Sequence, residues 1–161
     1  MATTKLTIVT PYKNFYEGQI NSATIPTLDG DIGFMAGHTP MIIALKPGIA
    51  HYIPAEGETR YFTLSEGFCK VDGKSILVVC NSAEYVEDLS PRQTCESYKR
   101  ANVGLQEAQA IEDKLARDVS MKEVNQALLR AKARRHLLEL YGSDHQKERI
   151  RILTEEYGWN D

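Results

Sequence analysis

The 161-residue sequence contains no apolar run near the roughly 20 residues that a helix needs to cross a bilayer. Its first residues, Met1–Thr10, have no basic stretch followed by an apolar core, and they lack the Arg-rich, acid-poor composition of an organelle presequence. We therefore expect no secretory signal. We expect the chain to work in the compartment where it is made, or to be numbered after processing.

Cysteine is scarce as well. The three cysteines, Cys69, Cys80 and Cys95, are odd in number and form no CxxC pair, so the short-spaced donors that a metal site needs are missing. Cys69 and Cys80 fall inside apolar, strand-like runs, where a free cysteine behaves as a small hydrophobe. We expect buried, reduced thiols, no metal and a cytosol-like compartment.

Catalytic motifs are missing too. There is no GxSxG turn, no phosphate-binding GxxxxGK[ST] loop and no GxGxxG after a strand. The four histidines are scattered, at His38, His51, His136 and His145. We expect no catalytic residues and no cofactor.

The net charge of −3 is unevenly distributed along the chain. Residues 1–88 carry 6 basic and 10 acidic side chains, whereas residues 121–141 carry 5 basic and 2 acidic ones. One short basic segment in an acidic chain is unlike the broad basic face of a nucleic-acid-binding protein. It suggests a helix that meets an acidic protein surface.

The first half of the chain has the period of strands. Short runs of alternating or apolar residues are separated by turn signals such as Asp29-Gly30 and Asp72-Gly73. Such closely spaced strands, without helical stretches for parallel crossovers, predict an antiparallel β-sandwich in residues 1–88. We expect strands at Leu6–Thr10, Gln19–Ile25, Ile32–Met35, Met41–Leu45, Ile49–Ile53, Arg60–Leu64, Phe68–Val71 and Ser75–Cys80.

The period changes to that of helices at residue 90. Ser90 is a typical N-cap before Pro91, Ser120–Glu123 reads as a second capping box after a break at Asp118-Val119, and Gly142 suits a C-cap. We therefore predict an antiparallel helical hairpin in residues 89–141, and the fold class is α+β. The two apolar stripes contain Tyr98, Ala101, Leu105, Ala108, Ile111 and Leu115, and then Val124, Leu128, Ala131, Arg135 and Leu138.

This apolar seam is thin and rich in alanine, so we hypothesise that the hairpin opens when it is offered a better partner. Residues 142–161 begin with Ser143-Asp144-His145-Gln146, which allows a short third helix ending near Gly158. The sequence leaves open whether this extension packs on a complex or forms a loose tail.

An ordered set of short motifs resembles the epsilon subunits of F-type ATP synthases, whose mitochondrial equivalent is called delta. The motifs are FYEG at 15–18, PTLDGDIGF at 26–34, GHTP at 37–40, LKPG at 45–48 and LSEGF at 64–68. They continue with ILVV at 76–79 and Ala83-Glu84, and the resemblance extends over about residues 6–140. No single motif is specific, but their order is.

The resemblance implies a non-catalytic rotor subunit of a proton- or sodium-translocating ATP synthase. It implies a sandwich that binds the gamma subunit of the shaft and rests on the membrane ring of c subunits. It also implies helices that extend toward the alpha and beta subunits of the catalytic head and inhibit ATP hydrolysis. The implied location is peripheral, at the cytoplasmic face of a bacterial cell membrane rather than in an organelle, and no nucleic acid is implied as a partner.

The resemblance assigns partner-binding roles to two sets of residues. Asp31 matches an acidic turn position facing the ring, with His38 in the loop beside it, although turn chemistry alone also explains both. A set of basic residues matches the helix that faces the catalytic head, although a solvated helix face explains them equally. This set is Lys122, Arg130, Lys132, Arg134 and Arg135.

Some bacterial members bind ATP through the pattern I/L-D-x-x-R-A, with a preceding Glu and later arginines. Residues 89–94 read LSPRQT, so the Asp is Ser90, the Arg is displaced by one position to Arg92, and the Ala is Thr94. We expect this degenerate pattern not to bind ATP, because contacts that a buried nucleotide needs are missing. The matching members are Glu84, Leu89, Arg100, Arg130 and Arg134.

Two other classes of function compete with the rotor subunit. A free-standing β-sandwich adaptor would bind an unrelated helical partner through residues 91–140 and would not affect an ATPase. A small hydrolase would need a catalytic triad or a metal cluster, neither of which the sequence offers. The coupling ion is left undetermined.

Overall fold

The computed structural model describes residues 2–160, so Met1 and Asp161, the outer ends of the predicted domains, lie outside the described residues. The chain divides into two compact units, and the boundary along the sequence falls between Tyr85 and Val86. The first contains the strands and the second contains the helices. The predicted α+β class, with a β-sandwich followed by helices, is confirmed.

Within the described residues, nine strands build the first unit, and the eight predicted strands are all among them. The ninth, the three-residue strand Ala83–Tyr85, was not predicted, because three residues are too few to show an alternating pattern. It pairs with the sixth strand. The strands are β1 Thr4–Val9, β2 Asn14–Thr27, β3 Gly30–Phe34, β4 Met41–Leu45, β5 Gly48–Pro54, β6 Arg60–Leu64, β7 Gly67–Val71, β8 Ser75–Cys80 and β9 Ala83–Tyr85.

The sheet follows the order β1-β8-β7-β4-β2-β5-β6-β9, and β1 also pairs with β2. This second pairing closes part of the sheet on itself, which protects strand edges from pairing with other chains. The pairing of β1 with β8 is parallel, with Leu6 opposite Ile76. The sequence predicts antiparallel pairs alone, because it offers no helix between the strands to make a parallel crossover. In the structure, strands β2 to β7 connect β1 to its parallel partner β8.

Strand β2 is the longest, with 14 residues, and it serves both layers of the sandwich. Its first half pairs with β1, and its second half pairs with β5 and β3. A shift in register between Ile20 and Ser22 lets the strand bend from one partner to the next. Side chains on its inner face, Ile20, Ala23 and Ile25, are completely buried.

One glycine in the sandwich has no possible substitute. A Cβ atom on Gly67, at the start of β7, would lie 1.9 Å from the carbonyl oxygen of Val79 on the neighbouring strand β8.

The predicted turn at Asp72-Gly73 joins β7 and β8. The Asp72 carboxylate accepts hydrogen bonds from the backbone N–H groups of Lys74 and Ser75 at 2.9 and 2.8 Å, which lowers its pKa.

Aromatic rings fill one part of the sandwich core. Phe62 is fully buried, and its ring centroid lies 5.4 Å from that of Phe15 and 5.8 Å from that of Tyr52. The hydroxyl groups of Tyr52 and Tyr85 share a hydrogen bond of 2.7 Å, so the polar end of the buried Tyr52 ring has a partner.

Up to residue 160, where the described part of the chain ends, the second unit contains three α-helices: α1 Pro91–Gln109, α2 Lys114–Tyr141 and α3 Asp144–Glu156. A short 3₁₀ helix, Val86–Asp88, precedes them. The predicted cap at Ser90 is confirmed, since its hydroxyl accepts a hydrogen bond from Gln93 N–H at 3.3 Å. The third helix forms, with Ser143 and Gln146 capping each other.

The predicted position of the turn between the first two helices is wrong. The turn lies at 110–113, where the Asp113 carboxylate caps α2 by accepting a hydrogen bond from Ala116 N–H at 2.9 Å. Ser120 lies inside α2 instead of capping it. Asp118 and Val119 do not break the helix, because each costs well under about 1 kcal/mol in a helix interior.

The seam between α1 and α2 contains small side chains. Ala101, Ala108, Ala131 and Leu138 are buried as predicted. Toward the turn the seam opens, and Leu115 is 77% exposed because the shifted turn places it in the first turn of α2. The hairpin is therefore thinly packed at this end.

We expect Phe62→Ala to destabilise the sandwich by about 3–5 kcal/mol, because it leaves a large cavity among rings that cannot collapse fully. Urea unfolding followed by circular dichroism measures the change. Tyr12→Ala, at a ring that is 88% exposed, is the matched control and should change stability by less than about 0.5 kcal/mol. Equal effects of the two substitutions would contradict the packing described here.

We also expect alkaline pH to weaken the sandwich through its buried thiols. Burial raises the pKa of Cys69 from 9.0 to about 12 and that of Cys80 to about 11. The unfolded chain therefore loses these protons first, and stability falls as pH rises above about 9, by up to about 1.4 kcal/mol per pH unit for each thiol. Cys69→Ala should have a shallower decline between pH 9 and 12 than the unmodified chain. Superimposable pH profiles would count against this assignment.

Candidate interaction surfaces

The two residues assigned to the ring side stand at opposite ends of β3. Asp31 is exposed, one residue after the β2–β3 turn. His38 lies in the loop after the strand, where its ring packs on Phe34 with centroids 4.8 Å apart and its Nδ1 lies 2.8 Å from the Thr39 carbonyl oxygen. The structure therefore places both on one strand and its following loop, and gives His38 local partners.

Exposed apolar side chains lie in the β2–β3 turn, just after β3 and on β4. Leu28 in the β2–β3 turn is 67% exposed, Met35 after β3 is 60% exposed, and Ile42 on β4 is 71% exposed. A hydrogen bond of 3.1 Å from Leu28 N–H to the Ala44 carbonyl oxygen holds this turn beside β4. Exposed apolar groups of this kind are typical of contact surfaces.

Sequence reasoning missed this surface because it treated Met41–Leu45 as a continuous apolar run. In the structure β4 alternates, and Ile42 and Ala44 point outward. They pair directly with Lys70 and the half-exposed Phe68 of β7. The signal that could have identified the surface is an apolar residue at the outward positions of a strand whose inward positions already fill the core.

The five basic residues of α2 that are assigned to the catalytic-head side do not share one face. Arg130 and Arg134 line a groove against α1, and Lys132 and Arg135 line a groove that contains Trp159. Lys122, nearer the turn, is exposed. Since each residue advances a helix by about 100°, positions 130 and 134 point away from 132 and 135.

The groove between α1 and α2 collects three members of the degenerate ATP pattern. It has a volume of about 460 Å³, and its lining includes Arg100, Arg130 and Arg134 together with the carboxylate-bearing Glu123. The remaining two members lie elsewhere. Leu89 is buried just before α1, and Glu84 is on β9 opposite Thr63.

A third groove, of about 430 Å³, lies between α2 and the C-terminal segment and shares Arg135, Glu139 and Trp159 with the groove that contains Lys132. Both arginines of its lining have carboxylate partners: the Arg135 Nε donates to Glu139 at 3.0 Å, and Arg151 lies 2.7 Å from Glu148, which is outside the lining. The second pair lowers the pKa of Glu148. The lining carries three basic side chains, Arg135, Lys147 and Arg151, and two acidic ones, Glu139 and Glu155, so its net charge is only +1 and its field on a charged ligand is weak.

Among the described residues, no three His, Cys, Asp or Glu side chains are grouped closely enough to hold a metal ion. None of the helices described between residues 2 and 160 is long and apolar enough to span a membrane. The exposed surface of the sandwich and the three grooves of the helical unit are the candidate binding sites.

Comparison with known proteins identifies the family. Residues 3–86 match the family model described as the ATP synthase delta/epsilon chain, beta-sandwich domain. This match covers more than half of the chain. The chain belongs to this family.

Individual relatives agree with this assignment. The chain is 32% identical to the ATP synthase epsilon chain of Clostridium novyi over 122 residues, which cover 76% of this chain and 93% of the relative. The fold is similar to a chain in the Euglena gracilis mitochondrial ATP synthase, with a TM-score of 0.66, 20% identity and coverage of 83% of this chain and 79% of the other. It is also similar to a chain in the Tetrahymena thermophila mitochondrial ATP synthase central stalk and c-ring, with a TM-score of 0.52, 16% identity and coverage of 83% and 97%.

Family membership confirms the predicted epsilon-type ATP synthase subunit, and with it the prediction of a non-catalytic chain. Part of the chain has no counterpart in the C. novyi relative, because the alignment covers almost all of the relative but three quarters of this chain. The assigned partner-binding residues and the degenerate ATP pattern stay predictions.

We predict that ATP does not bind the α1–α2 groove at millimolar or lower concentration. The Ser90 hydroxyl, which stands where the ATP-binding pattern has Asp, is already used as the cap of α1, and Glu84 belongs to a strand pair. Isothermal titration calorimetry of the full chain with ATP should give no saturable heat. Saturable binding that disappears in Arg134→Ala but persists in Arg92→Ala would overturn the prediction and assign the site to this groove.

Proposed function

We propose that this epsilon-type chain is a central-stalk subunit that couples the catalytic head of a proton- or sodium-driven ATP synthase to its membrane ring. The observation that carries the proposal is the family-matched sandwich, which bears an exposed apolar and acidic surface around β3 and β4. Support also comes from the likeness to a chain in the Tetrahymena central stalk and c-ring. The complex then keeps the chain peripheral to a membrane, at the cytoplasmic face in a bacterium.

In this proposal the sandwich has two partners. Asp31 and His38, at the two ends of β3, face the polar loops of the c-subunit ring. The outward side chains of β4 and β7, centred on Ile42 and Phe68, bury their exposed apolar area against the gamma subunit of the shaft. Burial of such area contributes about 25 cal/mol per Å², which is the main source of affinity for a stable rotor contact.

The helices supply the second part of the proposal, which is inhibition of ATP hydrolysis. Residues 121–141 carry a net charge of +3 in a chain of net charge −3. When α1 and α2 separate, Arg130 and Arg134 leave their groove and can meet acidic segments of the alpha and beta subunits. One exposed ion pair contributes only about 0–1 kcal/mol, so several must act together to hold the helices in the extended state.

The test is ATP hydrolysis by a catalytic head complex stripped of this subunit and titrated with two forms of the chain. We expect both the full chain and a truncation ending at Asp88 to bind, and only the full chain to inhibit. The reason is that the sandwich has its own closed sheet and core, whereas the basic groups are on α2. Binding of both forms without inhibition would refute the proposed inhibition by the helices and leave the coupling role. Failure of both to bind would refute the rotor proposal.

A charge-reversal pair sharpens the test. Lys122→Glu and Lys132→Glu together change two exposed basic side chains of α2 and should weaken inhibition about tenfold or more at low salt. Lys5→Glu and Lys13→Glu, exposed in the sandwich, change the net charge equally and are the control. Equal losses from both pairs would indicate a general charge effect instead of a docking helix.

A further inference from the structure

The C-terminal segment ends in an aromatic anchor inside the helical unit. Trp159 is 2% exposed, and its ring stacks on that of Tyr98 of α1, with centroids 4.1 Å apart and planes 7° from parallel. The guanidinium carbon of Arg135 of α2 lies 4.8 Å from the Trp159 ring centroid. One side chain from the end of the chain therefore contacts both helices of the hairpin.

Backbone contacts hold Trp159 in this position. Arg135 Nη1 donates a hydrogen bond of 3.3 Å to the Trp159 carbonyl oxygen, and Trp159 N–H donates one of 2.9 Å to the Thr154 carbonyl oxygen. Gly158 has a φ of +67°, a left-handed conformation that favours glycine and turns the chain back from the end of α3. Arg135 is fixed in turn by Glu139.

The other end of α3 is attached as well. The Gln146 side chain donates hydrogen bonds of 2.9 and 3.0 Å to the carbonyl oxygens of Val86 and Leu89, in the segment that leads into α1. Between these ends, Ile150 and Leu153 are each 1% exposed. Helix α3 packs on both α1 and α2, so it joins the two helices.

We propose that α3 and Trp159 form a C-terminal latch, defined by Gln146, Ile150, Leu153 and Trp159, that keeps α1 and α2 together. The alanine-rich seam alone holds the hairpin weakly, and the latch adds apolar area and a shared aromatic contact. The hairpin therefore opens only when Trp159 leaves Tyr98 and Arg135. The sequence alone left the extension undecided between a packed segment and a loose tail, and this assigns it a role.

Hydrogen–deuterium exchange of the full chain tests the latch without any partner. In Trp159→Ala the amides of α1 and α2 should exchange about tenfold faster, the size expected when a stacked pair and a cation–π contact are lost together. Ile152→Ala, which removes an apolar side chain of α3 that is 37% exposed, is the matched control and should leave exchange unchanged. Amides of the sandwich serve as an internal reference. Equal exchange in the two variants overturns the latch.

Two further variants keep the test decisive if Trp159→Ala unfolds the helices. The Trp159 Nε1 is buried without a hydrogen-bond partner among the described residues, so ring stacking dominates and Trp159→Phe should restore near-normal exchange. Tyr98→Leu keeps the only tryptophan of the chain as a fluorophore, and its emission should shift to the red as the ring becomes exposed. Unchanged emission and unchanged exchange in Tyr98→Leu overturn the proposal.

The effect of the latch on inhibition rests on the proposed function, so it is measured separately. With the stripped head complex, Trp159→Ala should inhibit hydrolysis at a several-fold lower concentration than the unmodified chain, because its helices separate more readily. Faster exchange with unchanged inhibition would leave the latch standing and would show that opening of the hairpin does not control inhibition. Unchanged exchange would remove the latch whatever the inhibition assay gives.

Discussion

The narrow seam between α1 and α2 is the constraint on which the helical unit depends. Four of the eight buried residues of these two helices are alanines, which let the helices approach closely but remove little apolar surface from water. A hairpin of this kind is marginal alone, because ordering its backbone costs about as much as its packing returns. The additional buried area comes from α3, whose Ile150 and Leu153 add to the core of the same unit.

The two units of the chain are stabilised in different ways. The sandwich pairs β1 with two strands, so part of its sheet has no free edge, and its core is continuous from Leu6 to Cys80. The helical unit has no such closure, and its contacts weaken toward the turn, where Leu115 and Val119 are exposed. The proposed function, in which the sheet is a fixed partner-binding element and the helices move, needs this contrast, since elements that move are those of low local stability.

The sequence predicted the strands, the helix cap at Ser90 and the family, because alternation, capping residues and ordered motifs are local signals. It misplaced the turn between α1 and α2, because Ser120–Glu123 has the residues of a capping box while Asp113 provides the cap. It could not find the contact of Trp159 with Tyr98, because stacking between residues 61 positions apart leaves no local pattern. It also treated five basic residues of α2 as one set, although helical geometry divides four of them between two grooves and places Lys122 nearer the turn.

One of those basic residues, Arg135, belongs both to the contacts of the latch and to the set proposed to bind the catalytic head during inhibition. Arg135 was assigned to the catalytic-head side from sequence, yet in the closed hairpin its guanidinium is held by Glu139, the Trp159 ring and the Trp159 carbonyl oxygen. The same group cannot meet an acidic partner while it keeps these contacts. Binding of the head and closure of the latch therefore compete for one side chain. A ligand that binds only the open state shifts the equilibrium by its difference in affinity for the two states, so a stronger latch means weaker inhibition.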